Sequence, residues 1–255
     1  YNARGGQTAV VHIPKPGKGH SSTAGYRPIS LITVHAKIIL KLITRRISAI
    51  THTTTSAAQH GFKPRLGTER AIQLVRHMLN ELPSSGCAAF LDLRKAFDMI
   101  SHEKLWKILA AQGYPTHLID NLKAIHATVS LIPKHCSEKG PAVAMRRGVW
   151  QGSSLSPLLY ICYAGAMMDQ WEHILQRDHP TGATQLPDVN PNLGSYHEGR
   201  LDTLITGNRD PGTASKEYSM YADDTELVAG TPAPLKTQIT ANEKVTTHNS
   251  LEVSN

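Results

Sequence analysis

Three features are scarce or absent in this sequence, and each absence excludes a class of protein. The three cysteines, Cys87, Cys136 and Cys162, form neither a CxxC pair nor a disulfide framework, so a reducing compartment fits best. No apolar run approaches the roughly 18 residues of a membrane span, and the first residues lack the layout of a signal peptide. The 14 histidines show no HxxxH spacing and no cysteine partner, so zinc is not indicated. We therefore expect an intracellular protein without a membrane segment.

What the chain does have is a core-forming composition and an excess of positive charge. With 255 residues, 40% of them hydrophobic, it is large enough for one large or two small domains. Its formal charge is +7 and its pI is about 9.3. Clustered lysine and arginine bind phosphates by releasing condensed counterions, so the charge favours a polyanionic partner, although charge alone is weak support.

Hydrophobic periodicity predicts several helices. Apolar residues at helical spacing begin at Ala36, and a second helix is expected to start at Thr68, as its N-cap, and to run through Leu82. Ser101 is a candidate N-cap for a third helix. The apolar run over 155–174 is long enough for a mostly buried helix.

Strands and loops complete the pattern. A buried strand is expected over Cys87–Leu93, and two short strands over Glu217–Tyr221 and Thr225–Ala229 form a tight hairpin. The stretch up to Gly25 is rich in Gly, Pro, Ser and Lys and is expected to be an extended basic arm or loop. Residues 176–216 have little periodicity and are expected to be a loop insertion without chemistry.

The order of these elements predicts the fold class. Strands interleaved with helices, without repeats or heptads, indicate an α+β fold with two subdomains joined near residue 85. The sequence begins at Tyr1 rather than Met and stops inside a periodic segment that starts at Leu235. We therefore expect a piece of a longer protein, with its final helix cut off.

Three aspartates are candidates for the chemistry. Asp92 lies in an apolar strand, where an ionised carboxylate needs a partner or a metal. Asp223 and Asp224 lie at the tip of the expected hairpin, and taken alone such a pair is more often a solvated turn. If the three carboxylates converge, they can hold two magnesium ions about 3.5–4 Å apart and support an in-line phosphoryl displacement.

Ordered motifs resolve this ambiguity by resemblance. Phe90–Asp98, which contains Asp92, resembles the first catalytic motif of reverse transcriptases, and Tyr221–Asp224 resembles their signature hairpin. Between them, Arg147–Leu159 resembles the glycine turn and helix that contact template and nucleotide. Two upstream segments, Tyr26–Leu31 and Gln59–Pro64, are similar to fingers motifs of non-LTR (LINE-type) retrotransposon enzymes and of the related group II intron reverse transcriptases.

The resemblance implies a right-handed polymerase fold and a metal site. Residues 1–85 would form a fingers-like region with a basic arm, and 86–255 a palm built on an antiparallel sheet with packed helices, with the thumb missing. Asp92, Asp223 and Asp224 would bind two Mg²⁺ ions, which Mn²⁺ could replace. The backbone carbonyl of Leu93 would add a ligand.

The resemblance also implies how the nucleotide is held. Lys63 and Arg65 fall in the fingers motif, where cations hold the triphosphate, and Arg is suited to bidentate phosphate contacts. Phe97 occupies the place of the family's steric gate, and Gln151 and Gly152 would lie beside the nucleotide. The ordinary alternatives are surface solvation for the two cations, a core position for Phe97 and a normal turn residue for Gln151.

This sequence departs from the family pattern at two positions. Leu66 stands where the family usually has a second arginine, with Arg65 one place earlier, and Trp150 occupies a position that is often basic. Both departures concern the expected nucleotide contacts.

Together these observations predict a reverse transcriptase fragment. It would bind an RNA template, a DNA primer and dNTPs, in the nucleus by family resemblance, while endonuclease and thumb regions would lie elsewhere in the full-length protein. Two alternatives remain from the sequence: an RNA-dependent RNA polymerase, and a catalytically silent relic that only binds nucleic acid.

Overall fold

The computed structural model describes residues 6–17, 19, 21–56, 58–135, 138–178, 218–249 and 252–253. The chain divides into two compact units that are discontinuous in sequence. Unit 1 comprises Tyr1–Thr53 and Phe97–Tyr160, and unit 2 comprises Thr54–Ala96 and Ile161–Asn255.

The elements alternate along the chain as the periodicity predicts. The helices are α1 Val34–Thr54, α2 Thr68–Glu81, α3 Ala96–Met99, α4 His102–Ala111, α5 Thr116–Thr128, α6 Ser156–Asp178 and α7 Pro232–His248. The strands are β1 Gln7–Pro14, β2 Tyr26–Leu31, β3 Cys87–Arg94, β4 Ser130–His135, β5 Glu138–Lys139, β6 Val143–Ala144, β7 Tyr218–Tyr221, β8 Asp224–Ala229 and β9 Glu252–Val253. Among the described helices, none is both long and apolar enough to cross a bilayer.

The predicted subdomain change near residue 85 does not coincide with the boundaries of the two units. Residues on both sides of that point contact strand β8, because α2 packs on β7 and β8 and β3 pairs with β8. The units change instead after residues 53, 96 and 160. The assignment of 1–85 and 86–255 to fingers and palm stays a prediction.

Unit 1 contains a mixed sheet in the order β2-β1-β4-β5, with β6 also paired to β4. β1 pairs antiparallel with β2 and parallel with β4. The expectation of a loop or arm up to Gly25 is therefore wrong for residues 7–14. The Gln7–Val11 part of that stretch contains three β-branched residues, and Val10 is buried.

Helix α4 of unit 1 begins where the sequence predicts, whereas α1 begins at Val34, two residues before Ala36. Ser101 caps α4, and its Oγ accepts a hydrogen bond from the backbone N–H of Lys104 at 3.4 Å. The helix ends two residues before Gly113, which has a φ of +82°. α4 packs against α5, and Leu105, Leu109 and Leu122 are fully buried.

Unit 2 contains an antiparallel sheet in the order β7-β8-β3-β9. Residues that are partners across antiparallel strands point to the same face of the sheet, so two faces can be read from the register. Tyr218 and Leu227 lie on the buried face, where Trp171 of α6 contacts the Tyr218 ring edge-on at 5.1 Å. The Trp171 Nε1–H donates to the carbonyl of Gln238 in α7 at 3.0 Å. Helix packing on this face leaves the opposite face for the aspartates.

Several local expectations need correction. Gly67, not Thr68, occupies the N-cap position of α2, and the apolar residue Ile72 of this helix is 55% exposed. The final helix is not cut off, because α7 ends at His248 and β9 follows it. Of the predicted insertion over 176–216, the first three residues end α6, and the rest lies outside the described residues.

Candidate active site

Two of the predicted aspartates face each other across the sheet of unit 2. Asp92 of β3 and Asp224, the first residue of β8, are direct partners in the antiparallel register. Side chains of such partners lie on the same face, with Cβ atoms about 5 Å apart. Both residues are exposed, whereas Asp223 is half-buried in the two-residue turn between β7 and β8. The sheet therefore presents adjacent carboxylates at one end.

The electrostatics of this pair favour a cation. Partial burial, and secondly the negative charge of Asp92, raise the pKa of the Asp224 carboxyl above its usual value. Within the described residues, neither Asp92 nor Asp224 forms a salt bridge. A divalent cation held between the two carboxylates would remove their repulsion, and carboxylate oxygens are the ligands that Mg²⁺ prefers.

Asp92 and Asp224 are the two carboxylates whose positions fit a bound metal ion. Among the described residues, no group of three or more His, Cys, Asp or Glu side chains already converges as a metal site. Asp223 is next to Asp224 in the turn, and the Leu93 backbone is part of the ladder between β3 and β9. The roles of Asp223 and of the Leu93 carbonyl as metal ligands stay predictions.

A groove of about 400 Å³ opens beside the aspartates and was not predicted from the sequence. Its walls come from α2 and from the strands that carry the carboxylates. Phe90, which is 72% exposed, and Glu226 are partners on the same face as Asp92 and Asp224. Burial is the main cause that raises the pKa of the Glu226 carboxyl. The alternation of residues 90, 92, 224 and 226 along two strands is the sequence signal for this face.

The two candidate triphosphate ligands lie in different environments. Lys63 is buried, and its ammonium group donates hydrogen bonds to the carbonyl oxygens of Thr55 at 3.3 Å and Ser56 at 2.6 Å, just beyond the end of α1. Arg65 is exposed and has a φ of +64°. Lys63 thus binds the backbone of the segment that follows α1, so Arg65 is the better candidate for a phosphate contact.

Three further predicted nucleotide ligands, Phe97, Gln151 and Gly152, belong to unit 1. Phe97 is half-buried and stacks on Tyr160, with ring centroids 4.7 Å apart and an interplanar angle of 16°. Gln151 donates a hydrogen bond from Nε2 to Oδ1 of Asp98 at 3.0 Å. Both side chains are therefore held in defined orientations within this unit.

Gly152 is required by the backbone around it. Its φ is +110°, and a Cβ atom there would lie 2.9 Å from the carbonyl oxygen of Ser30. The Ser30 N–H also donates to the Gln151 carbonyl at 2.8 Å, so the turn is fastened to the end of β2. Within unit 1, the close backbone neighbour of this glycine is β2, and its role in nucleotide binding stays a prediction.

An aromatic cluster in unit 1 explains why Trp150 is found where the family often has a basic residue. The Trp150 ring stacks on His126, with centroids 4.7 Å apart and an interplanar angle of 6°, and both residues are buried. Nδ1 of His126 lies 2.8 Å from the Leu122 carbonyl oxygen, and His102 contacts the imidazole edge-on at 5.4 Å. A charged side chain at position 150 would be desolvated here, whereas the stacked indole carries no charge.

This cluster predicts an acid-sensitive fold. Burial is the main cause that lowers the pKa of His126 to about 4 from 6.5. The unfolded chain therefore binds more protons between these values, so stability is fully present above about pH 6.5 and is lost as the pH falls towards 4. The loss reaches at most about 3 kcal/mol, since one pKa unit corresponds to about 1.4 kcal/mol. We expect His126→Phe to flatten this part of the stability profile.

Urea unfolding at pH 7, 5.5 and 4.5 measures the effect. The matched control is His117→Phe at an exposed position of α5, which should keep the pH dependence of the original chain. Equal slopes for His126→Phe and the original chain would show that other groups cause the acid sensitivity.

Comparison with known proteins identifies the sequence family of this site. A family model described as reverse transcriptase (RNA-dependent DNA polymerase) matches residues 13–255. A probable RNA-directed DNA polymerase from transposon BS of Drosophila melanogaster is 33% identical over 165 residues, which cover 60% of this chain and 17% of that protein. The putative COX1/OXI3 intron 1 protein of Saccharomyces cerevisiae is 29% identical over 230 residues, which cover 84% of this chain and 26% of that protein. The chain thus spans only about a sixth to a quarter of the length of these relatives.

Solved structures share the fold at low sequence identity. Telomerase from Candida tropicalis in complex with the TWJ fragment of telomeric RNA matches with a TM-score of 0.60 and 11% identity, covering 100% of this chain and 40% of that one. Apo telomerase from the same organism, truncated from its C-terminal domain, matches with a TM-score of 0.57 and 11% identity, covering 97% and 48%. The predicted α+β polymerase fold is therefore confirmed.

Proposed function

Because the chain belongs to the reverse transcriptase family, we propose that it carries out RNA-templated DNA synthesis. The observation that carries the proposal is the pairing of Asp92 with Asp224 beside the turn that contains Asp223. Curated relatives are named as RNA-directed DNA polymerases of transposons, which supports the same reaction. In this reaction a primer 3′-hydroxyl attacks the α-phosphorus of a dNTP, a P–O bond forms, and the bond to pyrophosphate breaks.

The aspartates provide the charge that this reaction needs. Asp92, Asp223 and Asp224, together with the Leu93 carbonyl, would hold two Mg²⁺ ions, which Mn²⁺ could replace. When bound, these ions would supply activation of the 3′-hydroxyl and charge neutralisation for the leaving pyrophosphate. The chain itself contributes positioning, because the partner residues of β3 and β8 are fixed by the ladder between them.

Side chains outside the aspartates select and hold the nucleotide. Arg65 is exposed and carries a guanidinium suited to bidentate phosphate contacts, whereas the Lys63 ammonium binds backbone carbonyls after α1. The Phe97 ring, fixed by its stack on Tyr160, blocks a ribose 2′-hydroxyl and so favours deoxynucleotides. Gln151, oriented by Asp98, lies beside the nucleotide, and Gly152 keeps the turn in place.

The partners follow from the same proposal. An RNA template and a DNA primer fit the positive charge of the chain, and one of the telomerases with this fold was solved with a fragment of telomeric RNA. Endonuclease and thumb regions belong to a longer protein that acts in the nucleus, a placement that rests on family resemblance.

Primer extension with two kinds of nucleotide tests the proposal and the gate together. We expect the chain to extend a DNA primer on an RNA template with Mg²⁺, and to use dNTPs at least about 100-fold better than rNTPs, since a steric clash excludes the 2′-hydroxyl. Phe97→Ala should raise rNTP use while dNTP use stays within a few-fold. Leu93 and the three aspartates remain untouched in this variant.

The outcomes separate the alternatives. Equal use of rNTPs and dNTPs by the original chain would favour an RNA-dependent RNA polymerase. Tight RNA binding without any Mg²⁺-dependent extension would favour a catalytically silent relic. If Phe97→Ala prefers dNTPs over rNTPs as strongly as the original chain does, Phe97 is not the steric gate. The proposed polymerase reaction would be unaffected by that result.

A further inference from the structure

Gln59 lies against the aspartate hairpin, although it is far from it in sequence. Its backbone forms an isolated parallel bridge with Met220 of β7. The flanking hydrogen bonds run from the Met220 N–H to the Ala58 carbonyl at 2.9 Å and from the His60 N–H to the Met220 carbonyl at 2.8 Å. The segment 58–60 therefore extends the sheet of unit 2 beside β7, and Gln59 is 1% exposed.

The carboxamide of Gln59 binds both polar groups of one residue in the turn. Oε1 accepts hydrogen bonds from the N–H of Ala222 at 2.9 Å and from the N–H of Gly61 at 2.8 Å. Nε2 donates to the carbonyl oxygen of Ala222 at 3.1 Å. Only a side-chain amide offers an acceptor and a donor on one rigid group of this length, so glutamate or methionine cannot reproduce the contact.

Ala222 is the residue whose conformation this contact fixes. Its φ is +59°, in the left-handed region that residues with a Cβ atom rarely adopt. The two peptide units that Gln59 holds are the ones on either side of the Ala222 Cα atom. Asp223 follows directly, and Asp224 begins β8 opposite Asp92.

Gly61 shows how closely this segment approaches the turn. A Cβ atom at position 61 would lie 2.4 Å from the Ala222 nitrogen and 3.0 Å from the Gln59 Oε1 atom. No side chain fits there while the turn has this shape. Gly61 thus allows the segment to approach Ala222 closely, and the Gln59 carboxamide forms the hydrogen bonds at that approach.

From this geometry we infer that Gln59 is a positioning residue, which holds the Ala222 peptide groups so that Asp223 and Asp224 stand in a metal-binding arrangement with Asp92. This inference deepens the proposed function and rests on it for the identity of the reaction. The ordinary alternative is a buried glutamine that only satisfies its own polar atoms. That alternative predicts lost stability, but no specific effect on metal binding by the aspartates.

A matched pair of substitutions separates the two roles. Gln59→Met keeps the length and volume of the side chain but removes all three hydrogen bonds. The control is Gln238→Met, because Gln238 is also buried in unit 2 and also donates to β8, at the Val228 carbonyl, but at the end remote from the turn. The readouts are Mn²⁺ binding by electron paramagnetic resonance, hydrogen exchange at the Ala222 amide, and kcat and KM for dNTP in primer extension.

We expect Gln59→Met to weaken Mn²⁺ binding about 10- to 100-fold, as loss of a partner that orients a metal ligand does. The Ala222 amide should exchange faster, and kcat should fall by a similar factor with KM within about 2-fold, since substrate contacts are unchanged. Gln238→Met should lose stability and leave all three readouts near those of the original chain. Gln59→Glu, which keeps an acceptor for Ala222, should fall between Gln59→Met and the original chain.

Failure of the inference and failure of the proposed function give different results. Suppose that the original chain extends primers, but Gln59→Met binds Mn²⁺ equally well or leaves the Ala222 exchange rate unchanged. This result overturns the positioning role alone. A chain that extends no primer, but loses Mn²⁺ affinity and Ala222 protection in Gln59→Met, overturns the polymerase proposal and supports the positioning role. Equal losses of Mn²⁺ affinity in Gln59→Met and Gln238→Met would show a merely structural role.

Discussion

Replacement of Asp92 by asparagine is expected to lower Mg²⁺-dependent primer extension by about 1000-fold. The substitution removes one negative charge from the pair that faces across β3 and β8, and a neutral amide is a poor ligand for a hard divalent cation. A loss of this size corresponds to about 4 kcal/mol of transition-state stabilisation, within the range expected for one metal contact. Single-turnover extension, measured with saturating dNTP, gives the rate directly.

The fold should survive this substitution, which makes the prediction specific to chemistry. Partial burial, and secondly the negative charge of Asp92, raise the pKa of the Asp224 carboxyl, so the two ionised groups repel each other in the folded chain. Removing one charge relieves that repulsion, and the urea midpoint of Asp92→Asn should not fall below that of the original chain. Asp120→Asn is the matched control, because Asp120 is an exposed partner of Lys123 on α5. Extension by Asp92→Asn within tenfold of the control would contradict the metal role.

The sequence predicts those parts of the structure whose causes are local. The Ser101 cap depends on a hydroxyl and an amide three residues apart, and the aspartate hairpin depends on β-prone segments beside a two-residue turn. Each of these features is confirmed because nearby residues determine it.

The features that the sequence does not predict depend on contacts between distant residues. β1 follows a glycine pair and was expected to be part of an arm, but it pairs with β4, more than 100 residues later in the chain. Lys63 matched a motif whose lysine was expected to hold phosphate, but its ammonium group binds the carbonyls of Thr55 and Ser56. The Gln59 contact with Ala222 spans 163 residues. Periodicity and composition contain no information about such pairs, since only the folded chain brings them together.

Trp150 is a second case in which the sequence alone does not reveal the surroundings of a residue. The family often has a basic residue at this position, so the tryptophan suggests a weakened nucleotide site when only the sequence is considered. In the structure, Trp150 stacks on His126 within a buried aromatic cluster, so the change at position 150 is matched by its surroundings. The residue therefore contributes to packing in unit 1, and Gln151 beside it retains its hydrogen bond to Asp98.

Replacement of Gly61 by alanine is expected to destabilise unit 2 strongly for the addition of one methyl group. The added Cβ atom would lie 2.4 Å from the Ala222 nitrogen, which is backbone and cannot rotate away. Either the segment 58–61 or the turn must move, and both movements break the Gln59 hydrogen bonds to Ala222. Overpacking of this kind typically costs about 1–3 kcal/mol, and the broken bonds place this site at the upper end.

Urea unfolding of Gly61→Ala and Gly67→Ala measures this cost against a matched control. Gly67 precedes α2 in the same unit and has no atom within 4 Å of an added Cβ, so alanine there should cost no more than about 1 kcal/mol. If the hairpin yields instead of the whole fold, Gly61→Ala keeps most of its stability and loses Mn²⁺ affinity and primer extension. Equal stability together with equal Mn²⁺ binding in the two variants would mean that Gly61 does not approach the turn as closely as its contacts with Ala222 require.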